Sequence, residues 1–472
     1  KRREEVEVSS VTLTSTALGI VLTAWVPAVS LAGDGENLTH GPVWWLIGLF
    51  ALQGVLIWLF TRRRYLVMKD GELKPAFLEL QQFSIFLLAG ALVAQLWIHG
   101  EPDAYHATMK DVLWTVPWIH VEVTLHFLAN EVLMAFFFGI AAKELTEATL
   151  QRDGPLRGMR GFLPMMACLG GVVGPAVVYR MICTRELAGA WAVPCATDIA
   201  FAWLGARAIW GAKHPAVAFL LALAVADDFI GMGIIAVFYP QRDFNFTGLL
   251  LIILGMAAAF ACNRGRKRMA LLGTWQAFII PGAICWFGLH LAGLHAALAL
   301  VFVVPFIPMH DLDQGLFANG HHHNDRDALN QFEHAHKPFV DVGLFFFGLA
   351  NAGVAWWGTG AWNQNSTAVL LGLGIGKTLG ITAMTVFGFL LLKLTRGTAA
   401  LPVNDETGER LTWRDVPVIG LLGAMGFTVA LFVAEAAGGQ DSLKLGALAS
   451  FAYLGLAVVL GKLLRNSTSL DH

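Results

Sequence analysis

Two adjacent aspartates, Asp227 and Asp228, stand in the middle of an otherwise apolar run, Leu-Ala-Leu-Ala-Val-Ala-Asp-Asp-Phe-Ile-Gly at 221–231. Successive helix positions point about 100° apart, so both carboxylates can reach one site only near a helix interface. If the run lies in a bilayer, each charge is expensive. Insertion scales put a lone mid-membrane carboxylate at about 2.5–3.5 kcal/mol. Something must neutralise the pair: a lysine, protons or a metal cation. A site that can swap among these exchanges one ion for another. A static buried pair is the plainer alternative, and two adjacent acids make it the weaker one. The preceding run, Trp-Ala-Val-Pro-Cys-Ala-Thr-Asp-Ile-Ala-Phe at 191–201, contains Pro194, which removes a backbone donor and favours an interrupted helix. An interruption at mid-membrane exposes carbonyls and half-helix ends to an ion. Thr197 offers a neutral oxygen there, and Asp198 a charge to offset half-helix N-termini. Such oxygens suit a hard cation, Na+ or Li+.

A second interrupted segment is expected at Gly-Leu-Leu-Gly-Ala-Met-Gly-Phe-Thr-Val-Ala-Leu-Phe, 420–432. Paired broken helices in corresponding halves point to a site built from inverted repeats. Between the two lies Leu-Gly-Leu-Gly-Ile-Gly-Lys-Thr-Leu-Gly-Ile, 371–381, where Gly372, Gly376 and Gly380 recur every fourth residue and form a flush packing face. Lys377 in this run is the candidate counter-charge for an aspartate. Apolar residues continue on both sides of it, which argues against snorkelling to the interface. Gly372 does not complete the phosphate-loop spacing with Gly376-Lys377-Thr378, and no strand precedes it.

The elements that position these residues follow from composition. Of 472 residues, 56% are hydrophobic and only 14% charged, against about a quarter charged in soluble domains. Too few charges remain to cover a water-facing surface. Net charge is −2, which gives no electrostatic basis for nucleic-acid binding. Fourteen apolar runs approach the length that spans a bilayer: 11–32, 43–60, 77–98, 121–142, 161–182, 191–210, 217–239, 246–262, 269–289, 291–306, 338–357, 365–393, 414–436 and 442–463. The expected class is an all-α polytopic membrane protein. Alternate loops concentrate Lys and Arg (Arg62–Arg64, Lys143 to Arg160, Arg264–Arg268, Lys393 and Arg396), while the opposite loops hold little beyond Lys110. That bias, with an even span count, places both termini in the cytoplasm. Cys168, Cys183, Cys195, Cys262 and Cys285 form no C-x-x-C pair and read as small buried hydrophobes. The linker 307–337 is rich in histidine (His310, His321–His323, His334, His336) but matches no defined metal site, and it reads as a solvated cytoplasmic loop. The chain opens on Lys1 with no signal-peptide pattern, so further N-terminal residues are expected.

Taken together, these segments resemble the bacterial NhaA sodium/proton antiporter family. The likeness is carried by Pro-Cys-Ala-Thr-Asp-Ile-Ala-Phe-Ala (194–202), Ala-Asp-Asp (226–228), Gly-Leu-His-Ala-Ala-Leu (293–298), Ala-Asn-Ala-Gly-Val (350–354), Gly-Lys-Thr-Leu-Gly-Ile (376–381) and Gly-Phe-Thr (426–428), in that order over roughly 77–465. The resemblance implies an inverted-repeat fold with two discontinuous, crossing helices. It makes Asp227, Asp228 and Thr197 the Na+ and proton site, Lys377 the counter-charge to Asp227, and Asp198 the balance for helix dipoles. Asn130, Glu131 and Thr428 would be accessory. It implies Na+ (or Li+) exchange for protons across the inner membrane, electrogenic and pH-regulated, with no cofactor, often by a homodimer formed through an outer hairpin. Three departures stand out. Residues 1–76 add about two spans to the family's usual twelve, ahead of a domain at 77–465 and a tail at 466–472. Asn130-Glu131 replaces the common Asn-Asp. Gly-Ile-Ala-Ala-Lys-Glu (139–144) lacks one acidic residue, with Ala141 in its place, which puts the pH-sensing behaviour in question. Two rival readings are a structural or coupling subunit of a larger membrane complex, docked through the extra N-terminal spans, and an intramembrane enzyme. No nucleophile, metal triad or cofactor motif supports the latter.

Overall fold

A computed structural model describes residues 85–117, 121–151, 154–309, 327–355, 362–396, 401–404 and 408–468. The predicted spans 11–32 and 43–60 lie outside the described residues. Helices dominate what is described, in chain order: α1 (Ile85–Gly100), α2 (Pro102–Lys110), α3 (Leu125–Leu150), α4 (Phe162–Ile182), α5 (Ile199–Trp210), α6 (Pro215–Phe238), α7 (Phe246–Gly265), α8 (Ile279–Leu291), α9 (Ala328–Asn351), α10 (Gln364–Arg396), α11 (Asp415–Gly423), α12 (Phe427–Ala436), α13 (Asp441–Ala449) and α14 (Ala452–Thr468). Among the described residues, six helical stretches are long and apolar enough to cross a membrane: α3, α4, α6, α7, α10 and the α13–α14 pair; α11 and α12, bent by 47° at their break, make a seventh. Such helices satisfy their backbone groups internally, as a bilayer core demands. On α4, Leu169, Val173, Val177 and Met181 recur every fourth residue and are exposed. An apolar stripe of that kind is what a lipid-facing surface requires.

Three expectations need correction. The mostly helical fold carries one hairpin that was not expected: strands β1 (Val112–Val116) and β2 (Val121–Thr124) pair antiparallel, Val116 opposite Val121 and Thr115 opposite Glu122. Their β-branched residues favour strands, so the helix expected from 121 begins only at Leu125. The histidine-rich linker is shorter than 307–337. Asp327 accepts a hydrogen bond from Leu329 N at 3.3 Å and starts α9 ten residues before Pro338. His336 lies on that helix, stacked on Phe136 with ring centroids 5.1 Å apart. His310, His321, His322 and His323 lie outside the described residues. Lys143, counted above among loop cations, sits inside α3 and is fully buried.

Two sets of helices are distinguished by their packing, and they touch where α6 meets α3 and α9 meets α12. α4, α5, α6, α10, α11 and α14 share a core that includes Leu163, Ala206, Leu220, Ile381, Ile419 and Leu422. The second set pairs α1 with α9 and α7 with α8, with α3 against α9. Close approach of α4 and α10 depends on glycine. A Cβ on Gly170 would lie 2.0 Å from the Gly380 carbonyl oxygen, and one on Gly380 would lie 2.1 Å from that of Gly170. The four-residue glycine spacing thus lets α10 run backbone to backbone with α4, which sets the depth of Lys377. Gly380→Val is expected to lower the melting temperature of the detergent-solubilised protein and to reduce its yield. Gly231→Val, where a Cβ meets open space, serves as the comparison; equal losses in both would refute the packing role.

Candidate cation site

Both predicted interruptions are present, and they meet. A 3-10 turn at Val193–Cys195 leads into extended backbone at Ala196 before α5 begins at Ile199. Opposite it, Ala424–Gly426 separates α11 from α12. Asp198 N donates to Met425 O at 2.7 Å, and Thr197 Oγ1 donates to Gly423 O at 3.1 Å. Asp198 is the N-cap residue of α5 and, from across the crossing, accepts from Thr428 N at 3.2 Å and from Thr428 Oγ1. One carboxylate therefore faces the positive ends of two half-helices, which is where an anion is favoured.

The charged pair lies beside this crossing. Lys377 Nζ is 2.7 Å from Asp227 Oδ2 and also donates to Cys195 O, a carbonyl freed by the interruption. Lys377 is 0% exposed and Asp227 2%. The lysine rides on a π-helical turn, Gly372–Lys377, within α10, a local widening common at functional sites. Thr197 lies against Asp227, and Cys168 Sγ lies 3.9 Å from Asp227 Oδ1. Asp228, the next residue on α6, is buried, and its Oδ1 has no hydrogen-bond partner. A buried carboxylate oxygen without a donor is costly unless a proton or cation takes that place. The arrangement can hold a lysine-neutralised carboxylate and, beside it, a second carboxylate open to exchange.

The structure thus brings together Asp227, Asp228, Thr197, Asp198, Lys377 and Thr428. Asn130 and Glu131 do not share hydrogen bonds with the aspartates among the described residues. Glu131 accepts from Ala297 N at 3.1 Å and from Gln241, with His295 Nδ1 at 3.2 Å. Asn130 accepts from Asn351 at 3.1 Å. Both act as staples of α3 to its neighbours. Elsewhere in α3, Lys143 is held by Glu333 at 2.8 Å, Glu147 at 2.9 Å and Glu144 at 3.3 Å. Sequence reasoning missed this cluster, and it missed the parts played by the Cys195 carbonyl and the Cys168 thiol. The interruption at Pro194 was the available signal for the carbonyl; Cys168 offered none.

The family profile described as Na+/H+ antiporter 1 matches residues 76–464. The chain belongs to the Na+/H+ antiporter 1 family. An antiporter-family protein from Pelobacter propionicus, named Na(+)/H(+) antiporter NhaA 2, is 41% identical over 399 residues, covering 82% of this chain and 97% of the relative. The Na(+)/H(+) antiporter NhaA of Geobacter sulfurreducens is 41% identical over 396 residues with the same coverage, and that of Jannaschia sp. 38% over 418 residues. The chain is accordingly a multi-pass membrane protein of a transporter family rather than of an enzyme family. Its buried pair makes a specific prediction. Lys377→Ala leaves Asp227 uncompensated and should destabilise the solubilised protein by about 3–5 kcal/mol, while Lys377→Ala with Asp227→Asn should recover most of that. Additive effects in this double-mutant cycle would show that the two groups are not coupled.

Proposed function

We propose that the chain exchanges Na+ or Li+ for protons across the bacterial inner membrane, by competition at Asp227 and Asp228. The observation that carries this reading is the unpartnered, buried Asp228 oxygen next to a lysine-paired Asp227, at the meeting point of two interrupted helices. With the site open to the cytoplasm, Asp228 gives up its proton and binds Na+ with help from Thr197 oxygen. Asp227 can contribute its own oxygens only by parting from Lys377, which then releases a proton. The loaded site turns outward, loses Na+, and returns with protons in its place. The carboxylates never cross as an empty pair, because desolvation forbids it; the Na+-loaded site carries one net negative charge and the protonated site none. Proton release from both an acid and a lysine makes the exchange electrogenic and pH-dependent. Asp198 stays charged throughout as the balance for the half-helix ends.

The same reading assigns an inverted-repeat fold of about fourteen crossings with both termini in the cytoplasm, and a homodimer. Residues 1–76 form an extension ahead of the antiporter domain at 77–465, with 466–472 as a tail, and that extension could join a further membrane subunit. In sealed proteoliposomes, adding Na+ or Li+ is expected to drive proton efflux that Asp228→Asn abolishes. Absence of any response between about pH 6.5 and 9, a range covering perturbed carboxylates and lysines, in folded wild-type protein would favour the structural-subunit reading.

A further inference from the structure

A second set of charges lies away from the cation site. His126 opens α3, Glu435 closes α12, and Lys444 lies near the start of α13. His126 Nε2 is 3.1 Å from Glu435 Oε1, and Lys444 Nζ is 2.5 Å from Glu435 Oε2. The group continues into the other helix set. Asn130 donates to His126 O at 3.0 Å, and Asn351 on α9 donates to Asn130 at 3.1 Å. One polar line therefore runs from α9 through α3 to α12 and α13. It joins a helix that caps the cation site to the helices packed outside that core.

The position of α12 gives this line its meaning. Thr428 in its first turn bonds Asp198, and Glu435 in its last turn bonds His126. Seven residues at 1.5 Å rise separate them, about 10 Å along the helix. α13 holds to the site bundle as well: a Cβ on Gly446 would meet Ser366 O on α10 at 2.6 Å. Any movement that carries the cation site relative to α3 and α9 must therefore pull Glu435 and Lys444 past His126. The basic loops mark the side of this contact. α3, α7 and α10 each end at or just before basic residues, among them Arg157, Arg264 and Arg396, and His126 stands at the opposite end of α3. By the charge rule that end is the outer one.

We infer that His126, Glu435 and Lys444 form a charged latch on the outer side of the antiporter, made when the site is closed to the outside and broken when it opens outward. The inference rests on the antiport reading above. Its strength suits the task. The Lys377–Asp227 pair is fully buried, whereas the side chains of His126 and Glu435 are 29% and 26% exposed. Water can reach His126 and Glu435, though less so Lys444, whose side chain is 11% exposed, so the contact biases the two states without freezing either. The three residues position moving parts and touch no transported ion.

The test is a reversible tether. In a variant whose part-exposed cysteines, Cys183 and Cys262, are replaced while the buried Cys168, Cys195 and Cys285 are kept, His126→Cys and Glu435→Cys are joined by a short, reducible bifunctional thiol reagent. Na+-driven proton movement in proteoliposomes should stop when the tether forms, as read by mass, and return on reduction. Undiminished exchange in fully tethered protein overturns the latch. Glu435→Gln supplies a second readout that a merely structural contact would not move. The half-saturating Na+ on the outer face should shift about two- to fivefold relative to that on the inner face, the range for losing a part-exposed ion pair. An unchanged ratio also overturns the latch. Failure of the wild-type protein to exchange at all overturns the antiport reading, and the latch with it.

Discussion

Burying two adjacent carboxylates in a membrane interior is the constraint from which the rest of this structure follows. Asp227 is tolerable because Lys377 lies 2.7 Å away; Asp228 is tolerable only with a proton or a cation on it. On the exchange proposed above, that asymmetry turns an electrostatic liability into a binding site. A pair of identical acids, both satisfied by fixed partners, would have nothing to exchange. The lysine needs a second acceptor to be held at this depth, and the carbonyl of Cys195 supplies it. That carbonyl is free only because the helix is broken at Pro194.

The interruptions carry a cost of their own. Two half-helices end in the protein interior with unpaired backbone groups and concentrated dipole charge. Asp198 answers both by facing α5 and α12 together, and Met425 O takes the Asp198 amide. The crossing is thus pinned by a few polar contacts among residues that are themselves buried, Val193, Thr197, Ala424 and Met425. Rigidity comes from elsewhere, from the glycine contact of α4 with α10 and the apolar core around Leu220 and Ile381.

Much of the site was legible in the sequence because charge inside an apolar run has few explanations. Asp227, Asp228 and Lys377 stood out on cost alone, Pro194 pointed to the interruption, and the glycine spacing to close packing. Residues whose part depends on geometry did not stand out. Cys168 looks like any small hydrophobe, and the thiol's approach to Asp227 depends on how α4 meets α6. Lys143 was read as a loop cation because basic residues follow it; its burial depends on Glu333, nearly two hundred residues away. The hairpin at Val112–Thr124 was hidden by its short strands, and Pro338 disguised the start of α9, which Asp327 in fact caps. The accessory reading of Asn130 and Glu131 came from likeness alone, and the structure gives both to contacts between helices.

The central claim is that one buried site binds either Na+ or protons. Calorimetric titration of Na+ into the detergent-solubilised protein, repeated in buffers of different ionisation enthalpy, counts the protons released as the cation binds. Competition at a single site predicts proton release with each binding event, reduced when Lys377 is replaced by alanine with Asp228 intact. Na+ binding with no proton release at any pH would contradict it.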